Sequence, residues 1–378
     1  MPIPGEPHDD ALLPLHEHAM AALPSGTRWF DAHTHIGHND PDGLTATAEE
    51  LEAGLDRAGH HRALAFPMHE PGGYREANDE VLRAAATSGG RLVALVRVDP
   101  KAEGALAEAR RGLDAGAAGI KLHPRSDAFG LPHPVVEELV ALASQGGHIV
   151  LLHAGRGIPC LGEATVDLAA SHPGAHLILA HAGISDLGLL ASPAAELPNL
   201  FFDTSWWQAD DLVQLFATIP PGRILHASDM PYGGARMATV TTIRPALEAG
   251  LGPDALAAIA GGQLDRLLAG EAPLDLGPPP GPPPAPRIEA RRALAYLTAA
   301  TQMAFLQADP GEALALARLA CQHVDDDHVL DAVDGFCAAA QRALTSRGAD
   351  PEQERWPGIH ELLGAQLVAG TPRAGLPA

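Results

Sequence analysis

From Arg28 onward, short apolar runs alternate with longer amphipathic ones at a steady pace, and this rhythm restricts the chain to folds built from repeated βα units. Eight runs read as strands: RWFDAH (28–33), RALAFPM (62–68), RLVALVRV (91–98), AGIKLH (118–123), HIVLLH (148–153), HLILAH (176–181), NLFFDTS (199–205) and RILHASD (223–229). Between and after them, 49–58, 76–88, 103–115, 135–144, 165–171, 211–219 and 238–249 carry helical spacing, and each is followed by Gly, Pro or His as a helix stop. Only the sixth crossover, 185–197, is poorly periodic. Eight such units predict an α/β fold, a (β/α)8 TIM barrel with a parallel sheet. A doubly wound sheet is the competitor, but no strand ends in Gly-X-Gly-X-X-Gly and there is no Walker sequence.

The flanks follow different rules. Residues 1–27 read as an N-terminal leader with a short helix around 11–22, placed to cap the barrel base, and the barrel domain runs over 28–272. Residues 273–287 form a Pro-rich linker in which GPPPGPPPAP excludes helix and interior strand. Beyond it, 288–347 is Ala- and Leu-rich with helical period, a C-terminal helical extension that caps the barrel or supports a homodimer. Pattern leaves the tail, 348–378, undecided.

Composition narrows the partners. A formal net charge of −22 disfavours nucleic acid and anionic membrane, which leaves a small-molecule substrate. Three cysteines, Cys160, Cys321 and Cys337, make neither a disulfide framework nor a thiolate metal site, and the latter two read as core. With no basic-then-apolar leader and no apolar stretch long enough for a bilayer, the expected compartment is cytoplasmic.

In such a barrel the strand C-termini converge on one site. His33 and His35 end the first strand two residues apart, hence on one side of an extended chain, and can grip one ion together. Lys121 and His123 end the fourth strand, His153 the fifth, His181 the sixth and Asp229 the eighth. Imidazole with carboxylate is a donor set for zinc and its neighbours. His16 and His18 share the His-X-His spacing but have no strand around them.

The set FDAHTHIG, GIKLHPR, LLHAGRG, LAHAG, FDTSWW and ASDMPYG resembles the amidohydrolase superfamily, in particular its amidohydrolase-related branch of metal-dependent hydrolases and decarboxylases. The resemblance covers about 28–270, including a closing helix, IAGGQLDRLL, with Gln263 where Asn is usual. It implies that His33, His35, His153 and Asp229 hold one divalent metal, Zn2+ by preference, with His181 a catalytic acid/base or ligand to a second ion. In binuclear members a lysine at the position of Lys121 is carbamylated and bridges two metals. Here an unmodified ammonium orienting an acidic substrate group is the favoured reading, with pairing to a neighbouring acid as the bland one.

Around this set, Arg125 and Arg156 follow strands four and five and are candidates for a substrate carboxylate, with solvated surface arginines as the bland alternative. Trp206 is taken as a pocket wall and Trp207 as packing, Tyr232 as a weaker candidate, and His69 and Glu70 as marginal mouth residues. His123 reads as an outer hydrogen-bond donor or as a structural residue beside Pro124. His38, His60, His61 and His133 are left as surface or capping residues. The expected activity is hydrolysis of a C–N or C–O bond, with Asp229 and His181 moving protons; nonoxidative decarboxylation of an aromatic or related acid is the alternative. A catalytically silent binding module is the reading from another class.

Overall fold

A computed structural model describes residues 9–41, 43–155, 157–322, 327–345 and 357–377. Eight parallel strands follow one another in sequence order: β1 (Phe30–Ile36), β2 (Arg62–Pro67), β3 (Leu92–Arg97), β4 (Gly119–Leu122), β5 (Ile149–Leu152), β6 (His176–Leu179), β7 (Leu200–Asp203) and β8 (Ile224–Leu225). The fold is a (β/α)8 barrel. The last strand is much shorter than the run 223–229 predicts. After Leu225 the chain turns from β7 to β1: Ala32 N–H donates to His226 O (2.8 Å), Asp229 N–H to His33 O (2.8 Å) and His35 N–H to Met230 O (2.7 Å). These bonds close the ring and leave Asp229 beyond the strand proper.

Crossover helices sit where the spacing places them, and local chemistry sets their ends. Ala48–Ala58 opens on a capping box, Thr47 with Glu50, and stops at Gly59 in the left-handed region. His133 caps Pro134–Gly146 by accepting from Val135 N–H. The weakly periodic sixth crossover is a helix too, Leu187–Glu196, with Pro193 inside it.

One irregularity in β1 decides what the barrel can hold. Asp31 pairs with Ala63 but Thr34 with Ala65, so three residues of β1 span two of β2. Such an extra residue reverses the alternation of side chains. Phe30 and Ala32 fill the barrel interior with Leu64, Phe66, Leu95 and Leu151. Past the extra residue His33 and His35 also lie against Phe66. Trp29 and Ile36 pack instead in the layer between sheet and helices.

The flanking segments share a core with the barrel. Leu12 and Leu15 cluster with Ala209 and Val240 of two barrel helices and with the helices Ile288–Phe305, Gly311–Cys321, His328–Thr345 and Ile359–Gly370. The last of these lies in the tail that pattern leaves undecided. Apolar around most of its circumference, it is buried at every position but Glu361. Arg244 of the helix Ala235–Glu248 donates to Thr371 O (3.1 Å) and Gly375 O (2.8 Å), a cation at the C-terminus of Ile359–Gly370. The Pro-rich segment is neither helix nor strand and is tied to the barrel by Gly281 N–H on Ala217 O (3.1 Å). Gln263, fully buried, donates to Gly222 O (2.5 Å) and accepts from Leu274 N–H (2.9 Å), pinning the chain leaving the barrel. No described helix is long and apolar enough to cross a membrane.

Candidate metal centre

At the mouth of the barrel, three atoms able to ligate a metal form a nearly equilateral triangle. His33 Nε2 and His35 Nε2 are 3.2 Å apart, and each lies 3.1 Å from Asp229 Oδ1. Ligands about 2.0–2.1 Å from a tetrahedral zinc are about 3.3 Å from one another, so these spacings match the edges of such a site. Both imidazoles are buried, whereas the Asp229 side chain keeps 22% exposure. Burial lowers the His35 imidazole to about 3, which keeps it neutral with a lone pair to give. Asp229 itself has φ 62°, in the left-handed region that non-glycine residues seldom adopt, held there by its N–H on His33 O.

Hydrogen bonds around the triangle fix which nitrogens carry protons. The carboxylate of Asp203, at the end of β7, can only accept, so His33 Nδ1–H donates to Asp203 Oδ2 (2.8 Å) and Nε2 is left as the ligand atom. Asp203 Oδ1 also accepts from His181 N–H (2.9 Å) and Ser205 N–H (3.0 Å). Burial pushes this carboxyl up, but the facing His33 outweighs it and holds the pKa below the ordinary value. His181, likewise at positive φ (56°), gives its Nδ1–H to the Ser205 carbonyl (2.8 Å). Its Nε2 then accepts from His153 Nδ1–H (2.9 Å), and His153 Nε2 remains a buried lone pair with no hydrogen-bond partner. That orphaned nitrogen fits a fourth ligand, although His153 does not join the other three at mutual spacings within 4.8 Å. Gly155 belongs to the same arrangement: a Cβ there would stand 2.9 Å from His153 Nε2.

The remaining sequence candidates distribute around this centre. Lys121 is fully buried over the Phe66 ring (4.8 Å), its Nζ without a hydrogen bond, and burial followed by nearby Arg97 lowers it to about 7. His123 stacks on His153 (3.8 Å). Trp206 stands 6.2 Å from the His181 ring, whereas Trp207 packs edge-on against Phe305 of the helical extension (5.3 Å). Tyr232 meets the His35 ring edge-on and donates to Asp40 Oδ2 (2.5 Å). A cavity of about 120 Å³ beside Asp229 is walled by Trp206, Tyr232 and, from the extension, Phe305, Ile359, His360 and Leu363. Arg125 is exposed on the loop after β4. Arg156 lies outside the described residues.

Two groups escape a sequence reading centred on histidine. Asp203 is the last residue of β7, and the strand-end rule applied to carboxylates finds it. Arg97 ends β3, buried, and donates to both oxygens of Asp127 (3.2 and 3.3 Å), with Tyr74 OH on the same carboxylate. His69 lies 4.0 Å from Asp127 and, with Glu70, lines an open groove over the loops after β1 to β4.

One reading is corrected. His60 is a core residue, not a surface or capping one: it is 3% exposed, stacked on Trp29 (4.9 Å), because the chain between helix 48–58 and β2 dives under the outer layer. His133 caps a helix, and His38 is exposed beside Glu80.

The amidohydrolase family model matches residues 30–262, well over half of the chain. No curated protein matches it. Among solved structures, an amidohydrolase of Burkholderia multivorans with bound HEPES is 16% identical with TM-score 0.51, covering 64% of this chain and 99% of that one. An uncharacterised TIM-barrel protein of Bordetella bronchiseptica is 17% identical (TM-score 0.52; 64% and 98%), and the IDCase of Metarhizium anisopliae, in apo form, 14% identical (TM-score 0.51; 65% and 98%). At these identities the structures speak for the barrel alone. The family match, together with the strand-end histidines and aspartate it spans, carries the assignment: the chain belongs to the amidohydrolase family.

Proposed function

We propose that this chain is a metal-dependent hydrolase acting on a C–N or C–O bond of a small, anionic or cyclic molecule. The observation that carries it is the His33–His35–Asp229 triangle, with spacings of 3.1–3.2 Å and the spare lone pair of His153 beside it. These four residues would hold one divalent ion, Zn2+ by preference. When bound, such an ion supplies acidified water and a Lewis acid at neutral pH. Asp229, partly exposed, takes the proton of the attacking water at its free oxygen and returns it to the leaving group. His181 first orients His153, and its Nε2 serves as acid or base only when His153 turns away from it. Lys121, a buried amine without a hydrogen bond, orients an acidic group of the substrate. The cavity beside Asp229 takes an apolar part of the substrate against Trp206 and Phe305.

The test is a screen of esters, lactones, amides and aromatic acids with zinc-loaded wild type beside Asp229→Asn. Zinc-dependent hydrolysis that Asp229→Asn loses supports the proposal. Release of CO2 from an aromatic acid would move the assignment to decarboxylation, and bound zinc with no turnover would favour a silent binding module.

A further inference from the structure

A second group of the same donor types lies on the other side of β1. Asp31, His60 and His226 each offer one ligand atom, all within 4.8 Å of one another, and the side chains are 0%, 3% and 0% exposed. They come from three parts of the chain: β1, the turn before β2, and the closing segment after β8. Trp29 seals the group, stacked on His60 and edge-on to His226 (4.7 Å).

Each of the three keeps one polar atom without a partner: Asp31 Oδ2, His60 Nδ1 and His226 Nε2. Buried polar atoms are rarely left so, and three together call for an occupant. The surrounding bonds say which kind. Thr239 spends its hydroxyl proton on Ala235 O (3.2 Å), so His60 Nε2–H must donate to Thr239 Oγ1 (2.9 Å), and Nδ1 is a bare lone pair. His226 Nδ1 meets Thr242 Oγ1 (2.9 Å), which passes its own proton to Thr204 Oγ1 (2.7 Å) when the imidazole donates. Asp31 Oδ1 is already taken by the N–H groups of His33 and Ser228 (both 3.0 Å), leaving Oδ2 without a partner. Two imidazoles oriented by hydroxyls and one carboxylate with no cation bonded to it form a donor set suited to zinc.

We propose that Asp31, His60 and His226 form a second, buried divalent-cation site that fastens β1 to the barrel's closing segment. Because Asp31 Oδ1 holds the backbone of His33 and of Ser228, next to Asp229, an ion on Oδ2 also steadies the catalytic triangle from behind. The proposal does not rest on the hydrolase reading.

Zinc alone is the probe. Protein stripped with chelator, dialysed against zinc and then against buffer is assayed by elemental analysis: about two ions per chain in wild type, about one in His33→Asn/His35→Asn, and about one in His60→Gln/His226→Gln. Anomalous diffraction at the zinc edge on wild-type crystals, which needs no variant to fold, should show a peak between Asp31, His60 and His226. Wild type with no peak there, or His60→Gln/His226→Gln with its full complement of zinc, overturns the proposal. A peak there and none between His33 and His35 would uphold it while removing the catalytic metal.

Discussion

The two faces of β1 hold the same chemistry in opposite settings. On the barrel side His33 and His35 meet Asp229 at 3.1 Å, with the carboxylate partly open to a cavity. On the helix side Asp31 meets His60 and His226 in a sealed layer under Trp29. One extra residue in β1 sends Asp31 one way and the two histidines the other. Access, more than ligand type, separates a site fit for catalysis from one fit for holding the structure.

Variants can break or sharpen this contrast. Asp229→Asn should lower hydrolysis on the order of 10³-fold, measured as kcat/KM, while the urea midpoint stays near wild type. A collapse of the fold would mean the open triangle is structural as well. Asp203→Asn removes the carboxylate behind His33, and zinc affinity of the open site, read by competition with a chromophoric chelator, should weaken by about 10–100-fold. His181→Asn separates two roles: weaker zinc binding marks it as the orienter of His153, and slower turnover with zinc retained marks it as acid or base. Phe305→Ala enlarges the cavity beside Asp229, so KM for an apolar substrate should rise about tenfold with kcat little changed.

The smallest effect is one of pH. Burial lowers the His16 and His176 imidazoles below 6.5, so they stay neutral where the unfolded chain takes up protons. Stability from these groups is therefore full above pH 6.5 and falls as pH drops toward their lowered folded values. Urea midpoints at pH 7.5 and 5.5 should show the loss, and His176→Phe should show less of it.

Much of this was legible in the chain. Strand rhythm places His33, His35, His153, His181 and Asp229 at one end of a barrel because a parallel barrel has one mouth for all its strand ends. Asp203 escaped because a carboxylate closing FFD looks like an ordinary strand stop until His33 is seen against it. The sealed group was hidden more deeply. By strict alternation Asp31 joins His33 and His35, and only the extra residue in β1 turns it outward. His60 follows a helix, where imidazole usually reads as a cap, and the burial that decides otherwise comes from Trp29 and from Thr239 of a helix distant in sequence. Likewise the helix 359–370 has no amphipathic stripe to announce it, since it is buried at every position but Glu361.

The most direct measurement of the central claim is zinc titration of metal-free protein, with bound metal and hydrolysis followed in the same samples. Activity should be absent without zinc and rise as the open site fills, and His33→Asn/His35→Asn should bind one ion fewer and stay inactive. Hydrolysis undiminished in metal-free protein, or unchanged zinc binding and activity in that double variant, would contradict it.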